Sequence, residues 1–438
     1  VCFGIGPAWM ATRVDPMEAL RGANRSTARS GSRARKILVV FQAALSLVLL
    51  TASGLLTAAL HRLENQNFGF DQDRRVVVNF DPRLAGYRPA QLTPLYRRIH
   101  GSLASIPGVS AVALCIYSPQ GGNNWGESVY INGHPAPRPN EDIFASFDRV
   151  TAGYFDVIGN PIVKGRGVSS QDTQTSRHVA VINEAFARRF FDHEDPIGKH
   201  FGRTEMQSSR QYEIVGVAKD ARYLTFGLDK PVGPFFFLPE AQHDVFSRAE
   251  WTEGDASSHF LRDIVIVTAP GARLASAQIR QTMASVDPNL PILSIRTLKQ
   301  QVALQFSQQR LIARLTSFFG LLSLVLSSIG LYGVTAYNAG RRTNEIGVRM
   351  ALGADRGRVL ALVLRGAFAL IVLGLFMGLP LTFAAAKFLG SQLYGMDPYD
   401  PVVTSVALAA LGLSALVASV IPALRASRIS PLEALRAD

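Results

Sequence analysis

Hydrophobic residues are spread unevenly along the chain. Residues 37–60, 315–337, 366–386 and 402–424 are apolar runs with almost no charge inside them. Crossing a bilayer as a helix takes roughly 20 apolar residues, so each run predicts a transmembrane helix. Between the first and second runs, residues 61–310 contain no stretch long enough to span. Their apolar positions come in short alternating or helical bursts. The pattern predicts strands at 75–80, 109–116, 143–147, 179–182, 212–217, 234–238, 264–268 and 292–295, and helices at 90–105, 183–191 and 272–286. The strand–helix–strand run from Arg75 to Ile116 reads as a βαβ unit, whereas 125–133 and 207–211 read as loop or hairpin.

Near the end of this region Ile295, Leu298, Val302 and Phe306 recur at helical spacing, with only Arg310 and Arg314 before the second run. They predict an amphipathic helix packed on the domain, or a stalk continuous with the span; the two are compatible. Between the second and third runs lies RRTNEIGVRMALGADRGRVLALVLR, residues 341–365. It predicts a short helix at 345–352, closed by Gly353, with Asp355 capping the helix that follows. Ile346 and Met350, four apart, form an apolar ridge suited to a partner's groove, framed by Glu345 and Arg349 at the same spacing. The third run carries Pro380, tolerated in a membrane where neighbours satisfy the freed carbonyl, and a Gly374/Gly378 pair that permits close helix approach.

Charge orients these runs. The 438-residue chain is 48% hydrophobic and 18% charged, with a formal net charge of +12. Such an excess fits nucleic-acid binding in general, but here the arginines cluster beside the apolar runs, so no nucleic-acid partner is expected and membrane lipid is. Arg13, Arg21, Arg25, Arg29, Arg33, Arg35 and Lys36 precede the first run, and Arg425, Arg428 and Arg436 follow the last. The loop at 391–401 has Asp397 and Asp400 and no Lys or Arg. The positive-inside rule then predicts a multi-pass protein of the plasma (inner) membrane, N-in and C-in, with residues 61–310 periplasmic or extracellular. Cys2 and Cys115 fall on opposite sides, so neither an intrachain disulfide nor a metal site is expected.

PAWMATRVDPMEALR (7–21) aligns without gaps to PALRASRISPLEALR (422–436), with nine of fifteen positions identical. The repeat predicts that 1–36 is a cytoplasmic tail ending a preceding unit of the same kind. The first transmembrane helix (37–60), the external domain (61–310) and the remaining spans (311–438) follow. The last part includes a cytoplasmic coupling helix at 341–356.

Familiar catalytic patterns do not occur. There is no GxxxxGK[ST] loop to cradle ATP phosphates, no HExxH and no GxSxG. The stretch 192–195 reads as a helix-terminal turn. Ionisable residues are nearly missing from the spans, which argues against an ion-coupled carrier. Energy, if used, arrives from elsewhere.

RRTNEIGVRMALGA, following SSIGLYGVTAYN, resembles the FtsX-like permease domain of MacB-type ABC transporters. VTAGYFDVIGNPIVKGRGVSSQD (150–172), VAVINEAFARRFFDHEDPIGKHF (179–201) and YEIVGVAKDARY (212–223) resemble the MacB periplasmic core domain. The resemblance covers nearly all of 37–438, and the opening repeat adds a likeness to the second half of duplicated, acidobacterial-type permeases. It implies an α-helical membrane domain of four transmembrane helices, with a large α+β periplasmic domain of MacB type inserted between the first and second spans. It further implies a permease subunit of an ABC-type exporter or mechanotransmission complex, itself no enzyme and binding no cofactor. A separate cytosolic ABC ATPase subunit would use the ATP. The coupling positions carried over are Glu345, Ile346, Gly347, Arg349, Met350, Ala351, Leu352, Gly353 and Ala354. Further implied partners are a second permease unit, fused or as a homo- or heterodimer, and a periplasmic adaptor. One departure is plain: MacB proteins carry an N-terminal ATPase domain, and this sequence has none. Two other functions fit the same features: an FtsX-like non-transporting regulator of an envelope enzyme, and a membrane-anchored binding module that needs no ATPase.

Overall fold

The computed structural model describes residues 25–427 apart from 193, 225–229, 352–354 and 389–398. The chain forms two compact units: residues up to Arg62 with those from Gln308 on, and Leu63–Ser307. The first described element is helix α1 (Arg25–Glu64). Then come β1 (Arg75–Phe80), α2 (Leu92–Ala104), β2 (Val109–Cys115), β3 (Trp125–Ile131), β4 (Phe144–Val150), α3 (Tyr154–Ile158), β5 (Ile162–Gly165) and β6 (Val179–Asn183). Next are α4 (Glu184–Phe191), β7 (His200–Arg203), β8 (Tyr212–Ala218), β9 (Phe235–Pro239) and α5 (Ala249–Ser258). β10 (Asp263–Thr268), α6 (Ser276–Val286), β11 (Ile292–Thr297) and α7 (Leu298–Gln305) complete the α+β unit. Last are α8 (Ser307–Arg341), α9 (Thr343–Ala351), α10 (Arg356–Phe388) and α11 (Pro401–Ser427).

The strands of Leu63–Ser307 follow the order β11-β1-β10-β2-β4-β3-β7-β8-β6-β9. The predicted βαβ unit is present but split. β1 and β2 run parallel without touching, because β10 lies between them antiparallel to both. In the same way β10 and β11 flank β1. Two interleaved βαβ units with this order make a ferredoxin-like sheet. Its helix α2 buries Leu92, Leu95, Tyr96, Ile99 and Leu103, one stripe at helical spacing.

The chain between β2 and β10 builds a second subdomain. β4 pairs with β3 and also with β9, so β4-β3-β7-β8-β6-β9 returns to its starting strand and the ring closes. Closure leaves no free edge in that ring. Aromatic side chains fill it: Phe147 stacks on Phe236 at 5.3 Å, and Phe201 meets Phe236 edge-on at 5.3 Å. Asn183 caps α4 by accepting from the Phe186 N–H at 2.8 Å, and Asp192 closes that helix in a left-handed turn. β7 was not expected, and 125–133, which reads as loop or hairpin, supplies the strand between β4 and β7.

The run Ile295, Leu298, Val302 and Phe306 does not share one helix. Ile295 belongs to β11, and Thr297 caps α7, its hydroxyl accepting from Gln300 N at 3.1 Å. Phe306 ends α7 before α8 begins at Ser307. Leu298, Val302 and Phe306 are all buried, so the ridge is that of a helix packed on the domain, and the continuous stalk is not formed.

α1, α8, α10 and α11 are long and apolar enough to cross a membrane. Val39, Ala43, Leu47, Leu331, Ile371 and Leu411 form their shared core. The Gly374/Gly378 pair lies against α1. A Cβ built on Gly374 would stand 2.7 Å from Ala43 Cβ, and one on Gly378 would stand 3.1 Å from Ala44 Cα. Close approach of this kind is how small residues drive helix association in lipid. Ser46 and Ser323 hydrogen-bond at 2.7 Å between α1 and α8, as do Ser53 and Ser317.

Candidate functional site

α9 is the helix between the second and third candidate spans. Thr343 Oγ1 donates to Gly340 O at 2.7 Å, tying the helix start to the end of α8. Glu345 Oε1 lies 2.6 Å from Arg349 Nη2, one turn along, and Arg342 Nε is 4.0 Å from Glu345 Oε2. The Glu345 and Arg349 side chains are 45% and 50% exposed. A pair this exposed adds only about 0.3–0.5 kcal/mol to a helix, so both charges remain available to a partner. Met350 is half-buried and Val348 is exposed, while Ile346, Gly347 and Ala351 lie within the helical backbone. Leu352, Gly353 and Ala354 lie outside the described residues. Asp355 accepts from Gly357 N at 3.2 Å at the head of α10, the cap the sequence predicts.

A second constellation sits where the chain leaves the α+β unit, and sequence reading missed it. Gln301 is buried in α7, and its Nε2 donates to Ser118 Oγ at 2.7 Å and Pro119 O at 2.9 Å. Gln305 Nε2 donates to Gln120 O at 2.8 Å. Gln120 is fully buried with φ +58°, a conformation rarely adopted by residues other than glycine. Its amide Nε2 donates to Arg222 O and Leu224 O, each at 2.7 Å. Ser118 in turn donates to Asp263 of β10 through both its backbone N and its hydroxyl. One loop thus ties α7 to the ferredoxin-like sheet and to the closed ring. Nothing in an ordinary Gln-rich helix turn signals this.

A third constellation caps one mouth of the ring. Arg149 (β4) and Arg203 (β7) are both essentially inaccessible. Each places Nη2 3.0 Å from Asp244 Oδ2, and each also bonds Asp255. Arg149 Nε reaches Ser258 Oγ at 2.7 Å, Arg203 Nη1 reaches Glu127 Oε1 at 2.8 Å, and the Tyr212 hydroxyl donates to Asp244. Burial alone would raise both aspartates. The His178 hydrogen bond to Asp244 and the two guanidinium charges outweigh it and hold both carboxyls well below the usual range. Burial, reinforced by the Arg149 charge, lowers His259 to about 4. The network draws its partners from within the unit and fastens the chain between β9 and β10 to β4 and β7. Cys115, the thiol expected outside, is buried in β2, and burial pushes its pKa up.

Residues 38–282 match the MacB-like periplasmic core domain, and residues 317–431 match the FtsX-like permease C-terminal domain. Among related proteins, the macrolide export ATP-binding/permease protein MacB of Marinobacter nauticus is 24% identical over 282 residues. That alignment covers 64% of this chain and 41% of that protein. The MacB of Neisseria gonorrhoeae is 25% identical over 68% of this chain and 44% of its own length. The uncharacterized ABC transporter permease YknZ of Bacillus subtilis is 24% identical over 68% of this chain and 71% of its own length. The chain therefore spans less than half the length of these MacB relatives. Of solved structures, the periplasmic region of MacB from Actinobacillus actinomycetemcomitans superposes with a TM-score of 0.35 at 13% identity, covering 54% of this chain and 94% of that one.

Proposed function

Because the chain belongs to the family of ABC transporter permeases that join a MacB-like periplasmic core domain to an FtsX-like permease domain, we propose that it is the membrane subunit of an ABC-type exporter. In this reading a separate cytosolic ATPase subunit docks on α9, and its ATP-driven closure moves the Leu63–Ser307 unit. Both termini and α9 lie in the cytoplasm, and the α+β unit lies outside. The observation that carries the reading is α9 itself, a nine-residue helix between two apolar helices with an exposed Glu345–Arg349 pair. The Gln301, Gln305 and Gln120 hydrogen bonds supply a stiff link from α7 into the rest of its unit. A second permease unit and a periplasmic adaptor complete the proposed assembly. A non-transporting relay would use the same helix, and the MacB-like core domain is what favours export.

Replacing Ile346 or Met350 by Asp tests the docking role. Burying an unpaired charge costs several kcal/mol, and a loss of about 3 kcal/mol weakens a complex more than a hundredfold. The expected result is a normally inserted permease that no longer captures or stimulates its ATPase in pull-downs and turnover assays. Intact association in both variants would remove α9 from the mechanism. A reporter fused near Glu240 that scored cytoplasmic would overturn the topology.

A further inference from the structure

Beside the capped mouth of the ring runs a groove that the coupling scheme does not use. Two cavities of about 290 and 670 Å³ share Arg97, Thr173 and Ala241 in their walls and so form one cleft between α2 and the segment following β9. Volumes of this size are typical of small-molecule sites. Pro94, Val245 and Ala256 give it accessible apolar walls. Glu240 lines its smaller part. Its Oε2 accepts from Thr93 Oγ1 at 3.1 Å, and no other side-chain or backbone donor among the described residues reaches the carboxylate.

Every other acidic side chain along the groove is already matched. Asp172 is held by Arg166 at 2.7 and 2.8 Å, and Asp244 and Asp255 are held by Arg149 and Arg203. Arg97 stands exposed on the rim and makes no ion pair with Glu240 among the described residues. Burial raises the Glu240 carboxyl above its ordinary range, against the Thr93 hydrogen bond and the more distant charges of Arg97 and Arg149, neither of which pairs with it. A sheltered acceptor in an apolar-walled cleft lacks one thing, a positively charged hydrogen-bond donor.

We propose that this groove binds a small molecule that joins a protonated amine to a compact apolar group, the amine on Glu240 and the apolar part against Pro94 and Val245. An anion would meet the Glu240 carboxylate, and a metal ion would find only one unshared carboxylate ligand there. The site belongs to the Leu63–Ser307 unit and the coupling helix to the other, so its occupation needs no ATPase.

The test uses the full chain in lipid nanodiscs, titrated with phenethylamine and followed by saturation-transfer NMR against empty nanodiscs. 2-Phenylethanol and phenylacetate serve as the neutral and anionic analogues. The amine should bind saturably and the anion should not. Glu240→Gln should weaken the amine about ten- to a hundredfold, the range for a hydrogen bond to a charged group. Arg97→Ala, at an exposed position, should tighten it about two- to fivefold by removing a competing cation. Ala241→Trp should block it with Glu240 intact. Ile346→Asp should leave it unchanged, which separates this site from the docking role of α9. Equal binding of phenylacetate would overturn the proposal. So would the lack of saturable amine binding, or an amine affinity indifferent to both Glu240→Gln and Arg97→Ala.

Discussion

In the Leu63–Ser307 unit two arginines and two aspartates are buried in contact with one another. In the helical unit no buried polar residue among the described ones is ionisable; Ser46, Thr51, Ser327, Thr335, Thr382 and Ser419 are hydroxyls. Thr382 folds back onto Gly378 O and Ser419 onto Ala415 O, and Ser46 pairs with Ser323 of another helix. The outer faces of these helices carry Phe318, Phe319, Leu321 and Phe376 exposed, as lipid requires. The difference follows from the surroundings. A globular unit in water can bury charges that arrive with their partners, and the matched set then fixes one arrangement. Hydrocarbon offers no water to a charge that loses its partner, so helices there are positioned by size and by hydroxyls. The α+β unit should therefore be most sensitive to lost charge, and the helical unit to added volume.

The largest expected effect is in the charge network. Arg149→Met leaves Asp244 and Asp255 with one guanidinium between them, and breaking a buried pair costs about 3–5 kcal/mol. Denaturant unfolding and protease sensitivity of the α+β unit should both shift. A change under about 1 kcal/mol would mean the network is solvated and that the contrast between the units is false.

Acid should act on the same unit, somewhat less strongly. His259 falls from an ordinary value of 6.5 to about 4 in the folded protein. A depressed histidine contributes stability that is present above its unfolded value and is lost as pH falls from 6.5 toward 4. The total is on the order of 3 kcal/mol. Asp244 and Asp255, depressed from 3.8, add a further loss below that pH. Stability of the α+β unit that stayed flat between pH 7 and 4.5 would show that His259 is already charged when folded.

This contrast explains what could be read from the sequence. The four spans are visible because an apolar run is a local signal, and β1 coincides with its predicted range because RVVVNF is apolar and β-branched throughout its centre. β3 could be read only as loop or hairpin because its first half holds Gly126, Glu127 and Ser128. Glu127 is polar there because Arg203 needs it. α5, with the sequence AEWTEGDASS, has no apolar stripe to announce it, since Asp255 and Ser258 are what it buries. Arg149 lies 95 positions from Asp244 and 106 from Asp255, so only closure of the ring brings them together. The Glu345–Arg349 pair could be read because it is local to one helical turn.

A smaller effect tests the helical unit. Gly374→Ala places a methyl 2.7 Å from Ala43 Cβ and 3.1 Å from Val40 O, so α1 and α10 must separate. Overpacking of this kind costs about 1–3 kcal/mol. Gly412→Ala has nothing within 4 Å and should be neutral or slightly stabilising through helix propensity. Thermal denaturation in detergent should rank the two variants in that order. Equal melting temperatures would argue against volume control of the α1–α10 contact.

The smallest structural effect is expected in α9, and for that reason it is the most informative about function. Glu345 and Arg349 are about half exposed, so loss of their pair should change stability by only about 0.3–0.5 kcal/mol. A defect in ATPase capture much larger than this cannot come from the helix unfolding. Glu345→Arg alone should impair capture. Adding Arg349→Glu rebuilds an i,i+4 pair in reversed order, which supports a helix somewhat less well but still supports it. If the pair serves only the helix, the double variant should recover capture. If the two charges face a partner, the double variant should remain as defective as the single one, while circular dichroism and membrane insertion match the parent protein. Recovery in the double variant would return the pair to a local helix contact and leave docking to the apolar ridge alone.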